Sequence, residues 1–166
     1  LVSIGSKDLS GGARPAPPER PEALIAFILE NFHAIHRAEL PELQRLAAKV
    51  ERVHGDHADC PAGLAKLLLT MEADLEEHMH KEETALFPMF AAGGGACAQF
   101  AVRRMLAEHD DHTKALLRLA ELTCDFTPPV GACGSWRALY KGCAKLNADL
   151  REHIRIENEV LFPQFS

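Results

Sequence analysis

The chain has no basic stripe, no long apolar run, no Cys-x-x-Cys pair and almost no strand-like alternation. Each absence removes a class of function. Eighteen Lys and Arg stand against 24 Asp and Glu, and the formal charge of −6 argues against a nucleic-acid partner. No apolar stretch reaches the roughly 18 residues of a membrane span, so no membrane partner is expected. The five cysteines, Cys60, Cys97, Cys124, Cys133 and Cys143, are scattered and odd in number. That usage reads as reduced, buried or half-buried thiols in a cytoplasm, not as a disulfide framework or thiolate metal site. The start, Leu1-Val-Ser-Ile-Gly, has neither an initiator Met nor a signal-peptide layout, and reads as the remainder of something longer.

What is present is helical periodicity. Residues 1–20 are rich in Gly, Pro and Ser and read as a flexible leader; residues 21–166 read as one domain. Breakers divide that domain into helices over about 21–53, 62–87, 97–124 and 135–162, with Pro88 and Pro163 as stop signals. Helices of roughly 25 residues are about 37 Å long. Four of them joined by modest loops predict an all-α, up-down-up-down four-helix bundle. Pro41 is expected to kink the first helix.

One segment occurs twice. Leu75-Glu-Glu-His78-Met-His-Lys-Glu82-Glu-Thr-Ala-Leu-Phe-Pro88 returns 75 residues later as Leu150-Arg-Glu-His153-Ile-Arg-Ile-Glu157-Asn-Glu-Val-Leu-Phe-Pro163. Each copy sets an imidazole and a carboxylate four residues apart, one turn apart on one helix face. Both pairs fall on the core-facing stripe: Leu64, Leu68, Met71, Leu75, His78, Glu82, Ala85, Met89 in one helix, and Leu139, Cys143, Leu146, Leu150, His153, Glu157, Val160 in the other. The first helix carries His33 and His36 in its stripe, and the third carries His109 with His112 one turn on. The chain therefore reads as two helical hairpins of similar design.

Burying these groups without partners is unfavourable. An unpaired ionised carboxylate costs several kcal/mol, and an unsatisfied imidazole about 1–3 kcal/mol. The stripes offer no Lys or Arg in compensation, so metal ions are the expected partners. Four histidines (His33, His78, His109, His153) and two carboxylates (Glu82, Glu157) are too many for one tetrahedral zinc. They suit two octahedral first-row ions with bridging carboxylates and a bridging oxo or hydroxo group, iron ahead of manganese or zinc. His36 and His112 read either as hydrogen-bond partners of the ligands or as stripe-edge polar residues. Asp74 and Glu108 read either as lining a proton or solvent route or as part of a solvated face, and Glu83 as solvent-facing charge.

The paired His-x-x-x-Glu-x-x-x-Leu-Phe-Pro segments resemble those of hemerythrin-like domains. Phe32-His33-x-x-His36-Arg-x-Glu-Leu-Pro-Glu-Leu, Val50-Glu-Arg-Val-His-Gly-Asp-His and Thr127-Pro-Pro-Val-Gly-Ala-Cys-x-x-Trp136-Arg-Ala-Leu-Tyr narrow the likeness to the Ric (repair of iron centres) family. The resemblance implies a bacterial cytoplasmic di-iron protein whose ligands fall on His33, His78, Glu82, His109, His153 and Glu157. It implies NO or O2 as small ligands and damaged iron–sulfur proteins as clients. The implied role is repair by iron donation or NO handling rather than conventional enzyme turnover, with NO reduction or oxidase chemistry as side activities. An oxygen carrier, a sensor and a di-iron oxidase are the alternatives. Two departures stand out. Ric proteins carry an N-terminal Cys pair where this chain has a Pro/Gly leader. Oxygen carriers have His-x-x-x-His on the third helix, whereas this chain has His109-x-x-His112.

Overall fold

The computed structural model of the chain describes residues 14–165. Among these residues all regular structure is helical, arranged as four antiparallel rods. Helix α1 runs over Pro21–Ile28, passes through a π-helical turn at Leu29–His33 and continues over Ala34–Val53. Helix α2 comprises Leu64–Lys81, a π-helical turn at Glu82–Leu86 and Phe87–Ala91. Helix α3 is an uninterrupted α-helix, Ala96–Leu122. Helix α4 comprises Gly134–Ile156, a π-helical turn at Glu157–Leu161 and a short 3-10 turn at Phe162–Gln164. Each rod packs against two others, α1 and α3 both lying against α2 and α4.

The sequence explains where the rods begin and end. Gly63 takes the left-handed conformation before α2 (φ 91°), and Glu51 of α1 reaches across to accept the amides of Gly63 and Ala65 at 2.6 and 3.0 Å. The cap of α2 is thus borrowed from its neighbour, which also fixes the α1–α2 connection. After α3, Thr123 Oγ1 donates to Leu119 O and accepts from the Phe126 amide, closing the helix into its loop. Pro41 does not break α1, which is continuous through it. Pro88 does not stop its helix, which runs on to Ala91, whereas α4 does end near Pro163 in the 3-10 turn; each proline follows the residue whose amide makes the wide i→i+5 bond, Phe87 to Glu82 O and Phe162 to Glu157 O. A proline has no amide to contribute to the α-register, so the wider turn forfeits no bond at that position.

The core is divided in two. One cluster holds Leu40, Leu43, Leu64, Leu68, Leu75, Leu116, Trp136, Tyr140 and Leu146 with their neighbours. The other holds Leu24, Phe27, Ile28, Phe32, Leu86, Phe87, Phe90, Val102, Ile156 and Phe162. Along every rod the buried histidines and carboxylates lie where one cluster gives way to the other. On this reading, burying apolar side chains above and below encloses the polar layer in a water-poor environment.

Two expectations shift. Residues 1–13 of the expected flexible leader lie outside the described residues, but its end is held to the bundle. The Arg14 guanidinium sits 4.3 Å from the centre of the Phe32 ring and pairs with Asp149 at 2.7 Å, and Gln164 Nε2 donates to Glu19 O at 3.1 Å. Among the cysteines, Cys97 and Cys124 are exposed rather than buried, and all five are free thiols. No described helix is long and apolar enough to cross a membrane.

Candidate metal centre

The six residues read from stripe register meet at one level of the bundle. His33, Glu82, His153 and Glu157 form one group; His78, Glu82, His109 and Glu157 form a second. Within each group the donor atoms all lie within 4.8 Å of one another, and every residue is buried. The two carboxylates belong to both groups, so the arrangement is two half-sites fused along a shared edge. Glu82 offers one oxygen to each side: Oε2 is 3.1 Å from His33 Nε2 and Oε1 is 3.1 Å from His78 Nε2. His153 Nε2 faces Glu157 Oε1, and the Nε2 atoms of His78 and His109 are 3.1 Å apart.

Much of this polarity has no hydrogen-bond partner. Both oxygens of Glu82, both of Glu157, Nε2 of His33 and Nε2 of His153 are buried without one. Orphaned acceptors converging on one volume mark a place for cations, since no Lys or Arg shares it. The donor set, nitrogen and carboxylate oxygen without sulfur, fits first-row divalent ions. Electrostatics agree. Burial, reinforced by the charge of Glu157, drives the Glu82 carboxyl well above the usual carboxylate range. Burial, helped by His153, holds His33 down to about 3 and His36 down to about 2. His78 and His109 are lowered by burial too, so these rings are neutral and able to ligate at physiological pH.

Outside this layer, several ligand rings are held from behind. His78 Nδ1–H donates to Glu108 Oε2 at 2.7 Å, and Lys81 Nζ donates to the other oxygen of Glu108 at 2.8 Å. Burial opposes the Glu108 charge, but these two hydrogen bonds outweigh it and hold the carboxyl below its usual range. His109 Nδ1–H donates to Asn158 Oδ1 at 2.6 Å. His153 Nδ1 is 3.2 Å from His36 Nε2. His33 Nδ1 is 3.7 Å from Glu83 Oε1, beyond a hydrogen bond. Of the four residues read as partners or route-liners, His36 and Glu108 touch histidines of the polar layer, His153 and His78. Asp74 and His112 instead line a cavity of about 260 Å³, with Glu77, Lys81, Glu108 and Asp111 at its wall. The His112 ring lies 4.9 Å from that of His78, and its Nδ1 is buried without a partner.

Glu83, read as solvent-facing charge, is half-buried, and Asn158 was not singled out in the sequence. Each directly follows a shared glutamate, which on a regular α-helix turns it about 100° away from the ligand face. The π-helical turns start at these glutamates, and Glu83 and Asn158 are both half-buried. The same widening corrects the stripe. Ala85 is exposed, and Met89 and Val160 are only half-buried; Leu86, Phe87, Phe90, Leu161 and Phe162 take the buried places. The Leu-Phe-Pro triplet after each His-x-x-x-Glu was the available signal.

A four-helix bundle with a buried layer of four histidines and two glutamates defines a cation-binding helical domain. The hemerythrin HHE cation binding domain family matches residues 24–165, and the chain belongs to that family. It is also similar to proteins named iron-sulfur cluster repair protein YtfE. It is 50% identical over 141 residues to the one from Pectobacterium carotovorum subsp. carotovorum (strain PC1), an alignment covering 85% of this chain and 64% of that protein. It is 49% identical to the Yersinia pseudotuberculosis serotype O:1b (strain IP 31758) protein with the same coverage, and 48% identical to that of Yersinia pestis (strain Pestoides F). The chain thus spans a little under two thirds of the length of these relatives.

Proposed function

We propose that this chain holds two iron ions and acts in the bacterial cytoplasm to restore iron–sulfur clusters damaged by nitrosative or oxidative stress. The observation that carries the reading is the pair of fused His2Glu2 groups sharing Glu82 and Glu157. The names of the similar proteins point the same way. His33 and His153 would hold one ion, His78 and His109 the other, and the two glutamates would serve both. Iron held by these residues would supply redox capacity, affinity for NO or O2, and metal for donation to a damaged client protein.

The chain's own residues perform definite tasks. Glu108 and Asn158 accept the Nδ1 protons of His78 and His109, leaving each Nε2 lone pair free to face a metal. The apolar clusters on either side exclude bulk water from the layer. Asp74, Glu77, Glu108 and Asp111 give the cavity beside His112 an acidic wall compatible with a passing cation.

Elemental analysis and a visible spectrum of the purified protein test the metal. An assay in which the iron-loaded protein reactivates an oxidised or nitrosylated cluster enzyme tests the role. About two iron ions per chain and a reactivation that fails with Glu82→Ala are expected. Absence of iron would sink the reading. Reversible oxygen binding with no reactivation would replace it with a carrier.

A further inference from the structure

We infer that the two metal positions are unequal: the ion between His33 and His153 is exchangeable, whereas the ion between His78 and His109 is resident. This rests on the di-iron reading above and assigns donation to one position. The argument lies in what stands behind the four rings.

Behind His78 is a carboxylate that can only accept. Glu108 takes the Nδ1 proton at 2.7 Å and is itself fixed by Lys81 at 2.8 Å. The His78 ring is thereby confined to the tautomer whose Nε2 can ligate, and its basicity is raised. His109 is held by the Asn158 carbonyl oxygen at 2.6 Å. Both rings stand on regular α-helix.

The other position has neither restraint. Glu83 Oε1 lies 3.7 Å from His33 Nδ1, beyond a hydrogen bond, while Arg37 holds the same carboxylate by donating to its other oxygen, Oε2, at 3.0 Å. His33 Nδ1 is buried without a partner, and His33 ends a π-helical turn. His153 faces another imidazole. The His36 ring can accept from His153 Nδ1–H, or donate to a bare Nδ1; in the second arrangement His153 carries its proton on Nε2 and cannot ligate. Nothing selects between the two, since His36 Nδ1 has no partner of its own. The His33–His153 position therefore has one ring without an outer hydrogen bond and one whose competent tautomer is not enforced. Outer partners of metal-bound histidines are worth about 10–100-fold in affinity.

The test is loss of iron from the anaerobic ferrous protein to a coloured ferrous chelator, followed in time. Two phases of about one ion each are expected, their rates separated by roughly 10-fold or more. Arg37→Met frees Glu83 to accept from His33 and should slow the fast phase alone. Glu108→Gln removes the carboxylate behind His78 and should speed the slow phase alone. Circular dichroism checks that both variants fold. A single phase for both ions, or variants that act on the opposite phases, would overturn the inequality while leaving the di-iron reading intact. A protein that takes up no ion pair would overturn both.

Discussion

Glu82 has no exposed surface, and neither of its oxygens has a hydrogen-bond partner within the chain. Without metal it is a destabilising residue, because burial and the facing Glu157 both oppose its charge. Glu82→Gln should therefore raise the stability of the metal-free protein by about 1–3 kcal/mol in urea unfolding, while metal content falls below one ion per chain. The histidines give the metal-free protein a pH dependence of known sign. His33, His36 and His112 titrate at about 3, 2 and 4 when folded, against 6.5 for a free ring. At these rings the unfolded chain binds more protons, so their contribution is full above pH 6.5 and falls as pH drops from there toward 4; the raised Glu82 carboxyl contributes with the opposite sign. Each ring contributes about 1.4 kcal/mol per unit over that window. Thermal melts of chelator-treated Glu82→Gln protein between pH 7 and pH 4.5, where that opposing carboxyl is gone, would show it; a flat profile would contradict the neutral burial of these rings. At this scale the six central residues were legible, because a polar residue in an apolar stripe is conspicuous. Their outer partners were only half legible. Glu108 and His36 were each read only as one of two alternatives, and Asn158, which follows a central glutamate at a backbone irregularity, was not singled out.

That irregularity belongs to the element. Three of the four rods carry a π-helical turn at the level of the polar layer, at Leu29–His33, Glu82–Leu86 and Glu157–Leu161. A π-helical turn is one residue inserted into an α-helix, and removing it restores the ordinary register beyond. Deleting the exposed Ala85 should thus keep Leu86, Phe87 and Phe90 facing the core and leave a cooperatively folding protein with impaired metal uptake. Deleting the equally exposed Ala73, in the regular part of α2, turns the rest of that helix by about 100° and should abolish cooperative unfolding. Melting curves of the two deletions, recorded side by side, distinguish the cases. Helix number, order and approximate limits could be read from periodicity and breakers. Pro163 does mark an end, but Pro88 was misread as one because a proline stops an α-register yet tolerates a wider turn.

Across the whole molecule, the polar layer separates two apolar clusters that are otherwise served by the same four rods. Metal in that layer would join the halves, whereas metal-free protein must keep them together across buried polar groups that lack hydrogen-bond partners. Metal at about 1,000 times its dissociation constant adds about 4 kcal/mol to the folded state. For a domain of this size that corresponds to a fall of roughly 8–16 °C in Tm on chelation, measurable by calorimetry. The bundle was legible as a whole because its period is helical throughout and its loops are short. The tie between Arg14, Phe32 and Asp149 was not, since a Pro/Gly-rich stretch carries no periodic signal from which docking could be read.

The placement of the wide turns also bears on ancestry. Those at Glu82–Leu86 and Glu157–Leu161 occupy the same position in the two copies of the repeated segment, 75 residues apart. An insertion shared at equivalent positions is most simply one that preceded the copying. The turn at Leu29–His33 has no counterpart in the uninterrupted α3, so it marks a later divergence between the halves. An ancestral hairpin paired with a second copy of itself would have surrounded the two half-sites identically, whereas here His78 is backed by Glu108 and His33 Nδ1 has no partner.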